Sequence, residues 1–139
     1  MAKLTLETAK QLLGVAEQKS YQMGLSSNIA IVDDGANLIA FLRMDNARIA
    51  GIEISKNKAW TSVSMQMPTA NLAEAALPGS PSFGINTTNN GKIVILGGGI
   101  PLASEGKIVG GVGISGGSSA QDIEIAKEVV QAFKWLNKH

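Results

Sequence analysis

The 139-residue chain contains no cysteine. That absence removes disulfides, thiolate nucleophiles and cysteine metal centres from consideration. Its single histidine is His139, the last residue, so a Ser-His-Asp triad or a histidine metal site within the core has no donor. Aromatic residues make up 4% of the sequence, too few for a platform that stacks nucleic-acid bases. An excess of one charge is missing as well. Twelve basic and 11 acidic residues, well mixed, leave a net charge of +1, which gives no electrostatic footprint for DNA, RNA or anionic lipid. No stretch approaches the length of a membrane span, and the segment from Met1 to Glu7 has no apolar signal core. The expectation is a cytoplasmic protein with no nucleic-acid or membrane partner.

What the chain does have is apolar residues, 45% of the total, and enough length for one self-sufficient domain over residues 1–139. It also has glycine, concentrated in a run from Gly106 to Gly117 that leads into an amphipathic segment. Gly111-x-Gly113-x-x-Gly116 spells the dinucleotide fingerprint, but the helix that follows runs to the C-terminus. No further strand remains to build the crevice of such a site. A strand, a tight turn and a helix capped by Ser118 or Ser119 explain the run better. The amides of Gly116, Gly117 and Ser118 then form a helix start that favours a carboxylate or phosphate. Gly113-Ile114-Ser115-Gly116-Gly117 also reads as a nucleophile elbow, yet no internal histidine is present to activate Ser115.

Periodicity predicts a first helix over Thr5–Met23 with Leu6, Ala9, Leu13, Ala16 and Ser20 on one stripe, ended by Gly24. Ile29–Val32 and Leu38–Leu42 read as a hairpin around Asp33-Asp34-Gly35-Ala36-Asn37, where the two aspartates serve the turn. A long helix from about Arg48 is ended by Pro68, and Thr69 caps a shorter one through Leu77. An irregular stretch follows to Gly91. Ile93–Leu96, Leu102–Ala103 and Ile108–Ser115 are expected as three strands, and Ser119–Asn137 as a helix burying Ile123, Ala126, Val130 and Phe133. The order α-β-β-α-α-β-β-β-α predicts an α+β domain with an antiparallel sheet. In the last strand Gly111 and Gly113 share one face, left bare for a helix, a neighbouring subunit or a ligand to approach.

Arg43, Asp45, Arg48 and Glu53 cluster between hairpin and long helix, with Asp45 placed to cap that helix and Arg43 to pair with it or with an anion. Lys56 and Lys58 offer further cationic contacts, although lysines on an amphipathic helix usually face water. Gly97-Gly98-Gly99 offers backbone donors, and Trp60 and Trp135 read as core or interface residues. An enzyme would need its acid and base from Asp33, Asp45, Lys58 and Asp122, and no two of these stand at a persuasive spacing.

Taken in order, Ile29–Leu38, Arg43-Met44-Asp45, Ser55 with Lys58-Ala59-x-Thr61, Gly97-Gly98-x-x-Pro101, Val109–Gly116 and Gln121-Asp122 resemble the GlcG/HbpS family, which includes the C-terminal domain of PduO-type corrinoid adenosyltransferases. The resemblance implies a profilin-like fold with a five-stranded antiparallel sheet flanked by helices. It further implies a bacterial homo-oligomer, octameric in some members, associated with glycolate, diol or glycerol utilisation. Several members bind haem through a histidine on the first helix, where this sequence has Gln11. The adenosyltransferase chemistry belongs to the other PduO domain.

These readings combine into an accessory small-molecule-binding protein that holds a small anion among Arg43, Asp45, Lys58, Gly97, Gly98, Ser115, Gly116, Gly117 and Ser118. The alternatives are a haem or corrinoid binder without a histidine ligand and a structural oligomerisation module.

Overall fold

A computed structural model describes residues 4–138. Helix α1 (Leu6–Gln22) is followed by β1 (Asn28–Asp33) and β2 (Leu38–Arg43), then α2 (Ala50–Ser64) and the short α3 (Ala70–Ala75). Two 3-10 turns precede β3 (Gly99–Ser104), β4 (Lys107–Ser115) and the long α4 (Ser119–Lys138). The four strands form one antiparallel sheet in the order β2-β1-β4-β3. No helix among the described residues is long and apolar enough to cross a membrane.

Local chemistry explains the boundaries. The Thr5 hydroxyl accepts the Thr8 amide at 3.1 Å, which caps α1. Gly24, at φ +71°, lets the chain turn out of that helix while the Leu25 amide reaches back to the Ser20 carbonyl. Between β1 and β2, Asp33 Oδ1 accepts the amides of Gly35 and Asn37, each at 2.9 Å, so this aspartate does build the turn. Glu105 and Gly106, both at positive φ, make the two-residue turn that joins β3 to β4.

The sheet is covered on both sides. Against one face, α1 and α4 bury Leu12, Ala16, Ile125, Val129 and Phe133 on Ile29, Ile31, Val112 and Ile114. Each large aliphatic side chain removed from water there contributes about 1.5–3 kcal/mol. Against the other face, α2 lays Ala59 and Val63 on Ala30 and Val32. The bare face of β4 belongs to α2. A Cβ on Gly111 would lie 2.5 Å from the Ser62 hydroxyl, and one on Gly113 would collide with the Ser55 carbonyl and the Ala59 amide. A helix, not a ligand, presses against those two glycines.

Several expectations shift by a residue or an element. In α1 the buried position is Leu12, with Leu13 half-buried and Leu6 exposed; in α4 Ile125 and Val129 are buried, whereas Ile123 and Val130 are half-buried. Helix α2 begins at Ala50 behind Ile49, without a side-chain cap. Trp135 lies on the surface, 61% exposed.

The strand expected over Ile93–Leu96 is not formed, so the sheet has four strands. Its backbone is satisfied by a side chain instead. The Thr61 hydroxyl accepts the Val94 amide at 3.0 Å and donates to the Lys92 carbonyl at 2.9 Å, fastening the segment along α2.

Candidate functional site

Lys58 and Asp122 meet inside the protein, with side chains only 2% and 3% exposed. Lys58 Nζ donates to the Ile114 carbonyl at 2.7 Å and to Asp122 Oδ2 at 3.1 Å. Asp122 Oδ1 accepts the Gly117 amide at 2.9 Å, and the Gly116 amide also points to this carboxyl. Burial pushes the Lys58 ammonium below its usual range, partly offset by the Asp122 charge and hydrogen bond. Burial likewise pushes the Asp122 carboxyl up, against the pull of Lys58 and the two glycine amides.

The α4 start therefore holds an anion supplied by the chain itself. Ser118 and Gln121 complete the cap: the Ser118 amide donates to Gln121 Oε1 at 2.9 Å, and the Gln121 amide donates to the Ser118 hydroxyl at 3.2 Å. Ser115, Gly116 and Gly117 are half-buried and Ser118 is exposed.

Gly98 closes the other side of the pair. It adopts φ +124°, and a Cβ there would sit 2.7 Å from the Ile114 carbonyl oxygen, 2.9 Å from Asp122 Cβ and 3.0 Å from Lys58 Nζ. Only glycine fits both the backbone angle and the space. Gly97 is less constrained, since a Cβ would meet only the movable end of the Ile123 side chain, at 2.5 Å. Thr69 clamps the next residue, accepting the Gly99 amide at 3.0 Å while its own amide donates to the Gly99 carbonyl at 2.9 Å.

On the outer side of this glycine turn lies a cleft of about 280 Å³, walled by Pro68, Ala70, Asn71, Gly98, Ile123 and Lys127. Lys127 is its one charged lining residue and makes no ion pair among the described residues. An apolar wall with one cation at the rim is suited to a small organic anion. Lys127, Asn71 and Ile123 carried no sequence motif. Ile123, expected in the core, is half-buried and lines this cleft.

The residues expected to form the site are dispersed. Lys58, Gly98, Gly116 and Gly117 come together at Asp122, with Ser118 in the adjoining cap, whereas Gly97 packs on Ile123 and the Ser115 hydroxyl faces Gly51. Arg43 ends β2 at the opposite edge of the sheet, three strand spacings from β3, or roughly 14 Å. Its Nε donates to the Ala47 carbonyl at 3.4 Å, and Asp45 is exposed in the adjoining turn. Asp45 does not cap α2, because the Met44–Ala47 turn and Ile49 intervene.

A second groove, about 480 Å³, runs along α1 and is lined by Gln11, Gly14, Val15, Gln18 and Glu128 among others. Among the described residues no imidazole, thiolate, thioether or phenol, the usual ligands of haem iron, lines it, and its one amine, Lys19, is paired with Glu124 at 3.4 Å. The residues present do not fit axial ligation there.

Comparison with known proteins agrees with the fold. The family model described as "haem degrading protein HbpS-like" matches residues 4–131. An uncharacterised 15.0 kDa protein of the dhaT-dhaS intergenic region of Citrobacter freundii is 35% identical over 136 residues, covering 98% of this chain and 96% of that one. The corrinoid adenosyltransferase PduO of the same organism is 36% identical over 130 residues, which cover 94% of this chain and 39% of PduO. The solved structure of a PduOC:haem complex superposes with a TM-score of 0.91 at 34% identity, covering 94% of this chain and 95% of that one. With its fold, its ordered motifs and nearly its whole length matched, the chain belongs to the HbpS-like family, the GlcG/HbpS group.

Proposed function

We propose that this chain is a non-catalytic accessory protein of a bacterial catabolic pathway of the glycolate-, diol- or glycerol-utilisation type, and that it binds a small carboxylate in the cleft beside Gly98. It works in the cytoplasm as a homo-oligomer. The observation that carries this reading is the cleft itself: apolar walls, a closely packed glycine turn and one cation, Lys127, with no ion pair among the described residues. The amides of Gly116 and Gly117 are already taken by Asp122 and that of Ser118 by Gln121, so they contribute a fixed wall and not a vacant anion hole.

Catalysis is a poor use of the Lys58–Asp122 pair. Lys58 Nζ is spent on the Ile114 carbonyl and Asp122, Asp122 on Lys58 and the Gly117 amide, and the two side chains are only 2% and 3% exposed. The test is calorimetry with a panel of small carboxylates and inorganic phosphate. Saturable binding of a carboxylate, weakened tenfold or more by Lys127→Met and unchanged by Arg43→Ala, supports the reading. The absence of measurable heat with every member of the panel refutes it.

A second reading rests on the PduOC:haem complex and on the groove that Gln11 lines. Here a porphyrin or corrin is held by surface contacts without a protein ligand to the metal. Titration with haemin decides it, since a saturable Soret change is required.

A further inference from the structure

At the opposite end of the sheet, a slot of about 220 Å³ separates α2 from the β1–β2 hairpin. The α2 residues lining it are Glu53, Lys56, Asn57 and Trp60, spaced i, i+3, i+4 and i+7, which places them on one stripe of the helix. A stripe that faces a hairpin ordinarily carries apolar side chains to close the gap. This one carries two charges, an amide and an indole, and the gap stays open.

The individual groups are arranged for a ligand. Trp60 is half-buried, and Lys92 Nζ stands over its ring, 5.4 Å from the centroid. Lys56 is paired with Glu53 at 3.1 Å. The half-buried Asn57 side chain makes no hydrogen bond among the described residues. Val32 supplies an apolar floor, and Ala36 lines the slot at φ +64°, a conformation unfavourable for a residue with a side chain.

We infer that this slot is a second binding site, distinct from the cleft beside Gly98, for a small planar monocarboxylate. The aromatic face of the ligand lies against Trp60 in an offset stack. Its carboxylate lies between the ammonium groups of Lys92 and Lys56 and accepts from the Asn57 amide. Charge selects the valence: two lysines and one glutamate leave the slot at +1, and a monoanion neutralises it. The volume admits a single substituted ring.

Benzoate is the probe. In a Trp135→Phe background the only remaining indole is Trp60, so its emission reports the slot directly. Benzoate is expected to quench that emission saturably, with chloride at matched ionic strength giving no saturable change. Lys92→Met should weaken binding at least tenfold, and cyclohexanecarboxylate, equal in charge but not flat, should bind at least fivefold more weakly. Lys127→Met should leave the signal unchanged, which separates this site from the other cleft. A quench linear in benzoate, equal affinity for the two acids, or full binding by the Lys92→Met protein would overturn the inference.

Discussion

Lys58 on α2 and Asp122 on α4, 64 positions apart, form a 3.1 Å ion pair behind the Gly98 turn, with their remaining hydrogen bonds made to the Ile114 carbonyl and the Gly117 amide. This one contact joins α2, α4 and the end of β4. It also fixes the inner surface of the wall whose outer surface lines the proposed carboxylate cleft.

Removing one partner leaves the other buried without its counter-charge and hydrogen bond. Lys58→Met should lower unfolding stability by about 3–5 kcal/mol in urea denaturation, whereas Lys58→Met combined with Asp122→Leu should recover most of the loss. A single variant as stable as the wild type would show that the pair is not buried as described.

The pH dependence of the pair should be opposite to that of a surface salt bridge. Asp122 binds its proton more tightly folded than unfolded, so its contribution rises as pH falls through the folded value towards 3.8. Lys58 releases its proton more readily when folded, so its contribution rises as pH climbs from the folded value towards 10.5. Relative to the double variant, the wild type should therefore be least favoured at intermediate pH and gain towards both ends. A maximum at intermediate pH, measured in urea across the range, would contradict the shifts.

Two glycines should respond in opposite directions. Gly113→Ala drives a methyl group into the Ser55 carbonyl and the Ala59 amide and should cost about 1–3 kcal/mol. Gly14 lies in α1 with no neighbour within 4 Å of a Cβ, so Gly14→Ala should stabilise by about 0.4–1 kcal/mol. Thermal unfolding of both variants compares them directly.

The α1 groove offers a gain-of-function test of the haem reading. The wild type lacks an imidazole there, and Gln11→His supplies one on an exposed helical position. Haemin added to that variant should give a sharper, shifted Soret band than with the wild type. Identical spectra would show that haem does not sit in the groove within reach of position 11.

The sequence made the first hairpin legible because its turn chemistry is local: Asp33-Asp34-Gly35 carries its own signal. It made α1, α2 and α4 legible through apolar period, α1 and α4 with bounds within one residue, whereas α2 starts at Ala50 and ends at Ser64, short of Pro68. Ile93–Leu96 misled, since its apolar run resembles a strand and only the distant Thr61 hydroxyl reveals that its backbone is satisfied otherwise. Lys58 was visible as a candidate, but its burial follows from Asp122, which no spacing rule connects to it. A clue was available in the helix itself: Gly51, Ser55, Lys58, Ala59 and Ser62 follow a helical stripe of mainly small residues, the buried face of α2. The cleft escaped notice because Asn71, Gly98 and Lys127 converge from separate elements only in the folded chain.

The most direct measurement for the central claim is the change in backbone amide NMR signals as a small carboxylate is added. The carboxylate cleft requires saturable shifts concentrated at Gly98, Gly99, Ile100, Ile123 and Lys127, and their loss in the Lys127→Met protein. Shifts concentrated instead at Arg43–Asn46, or no saturable shift with any carboxylate of the panel, would contradict it.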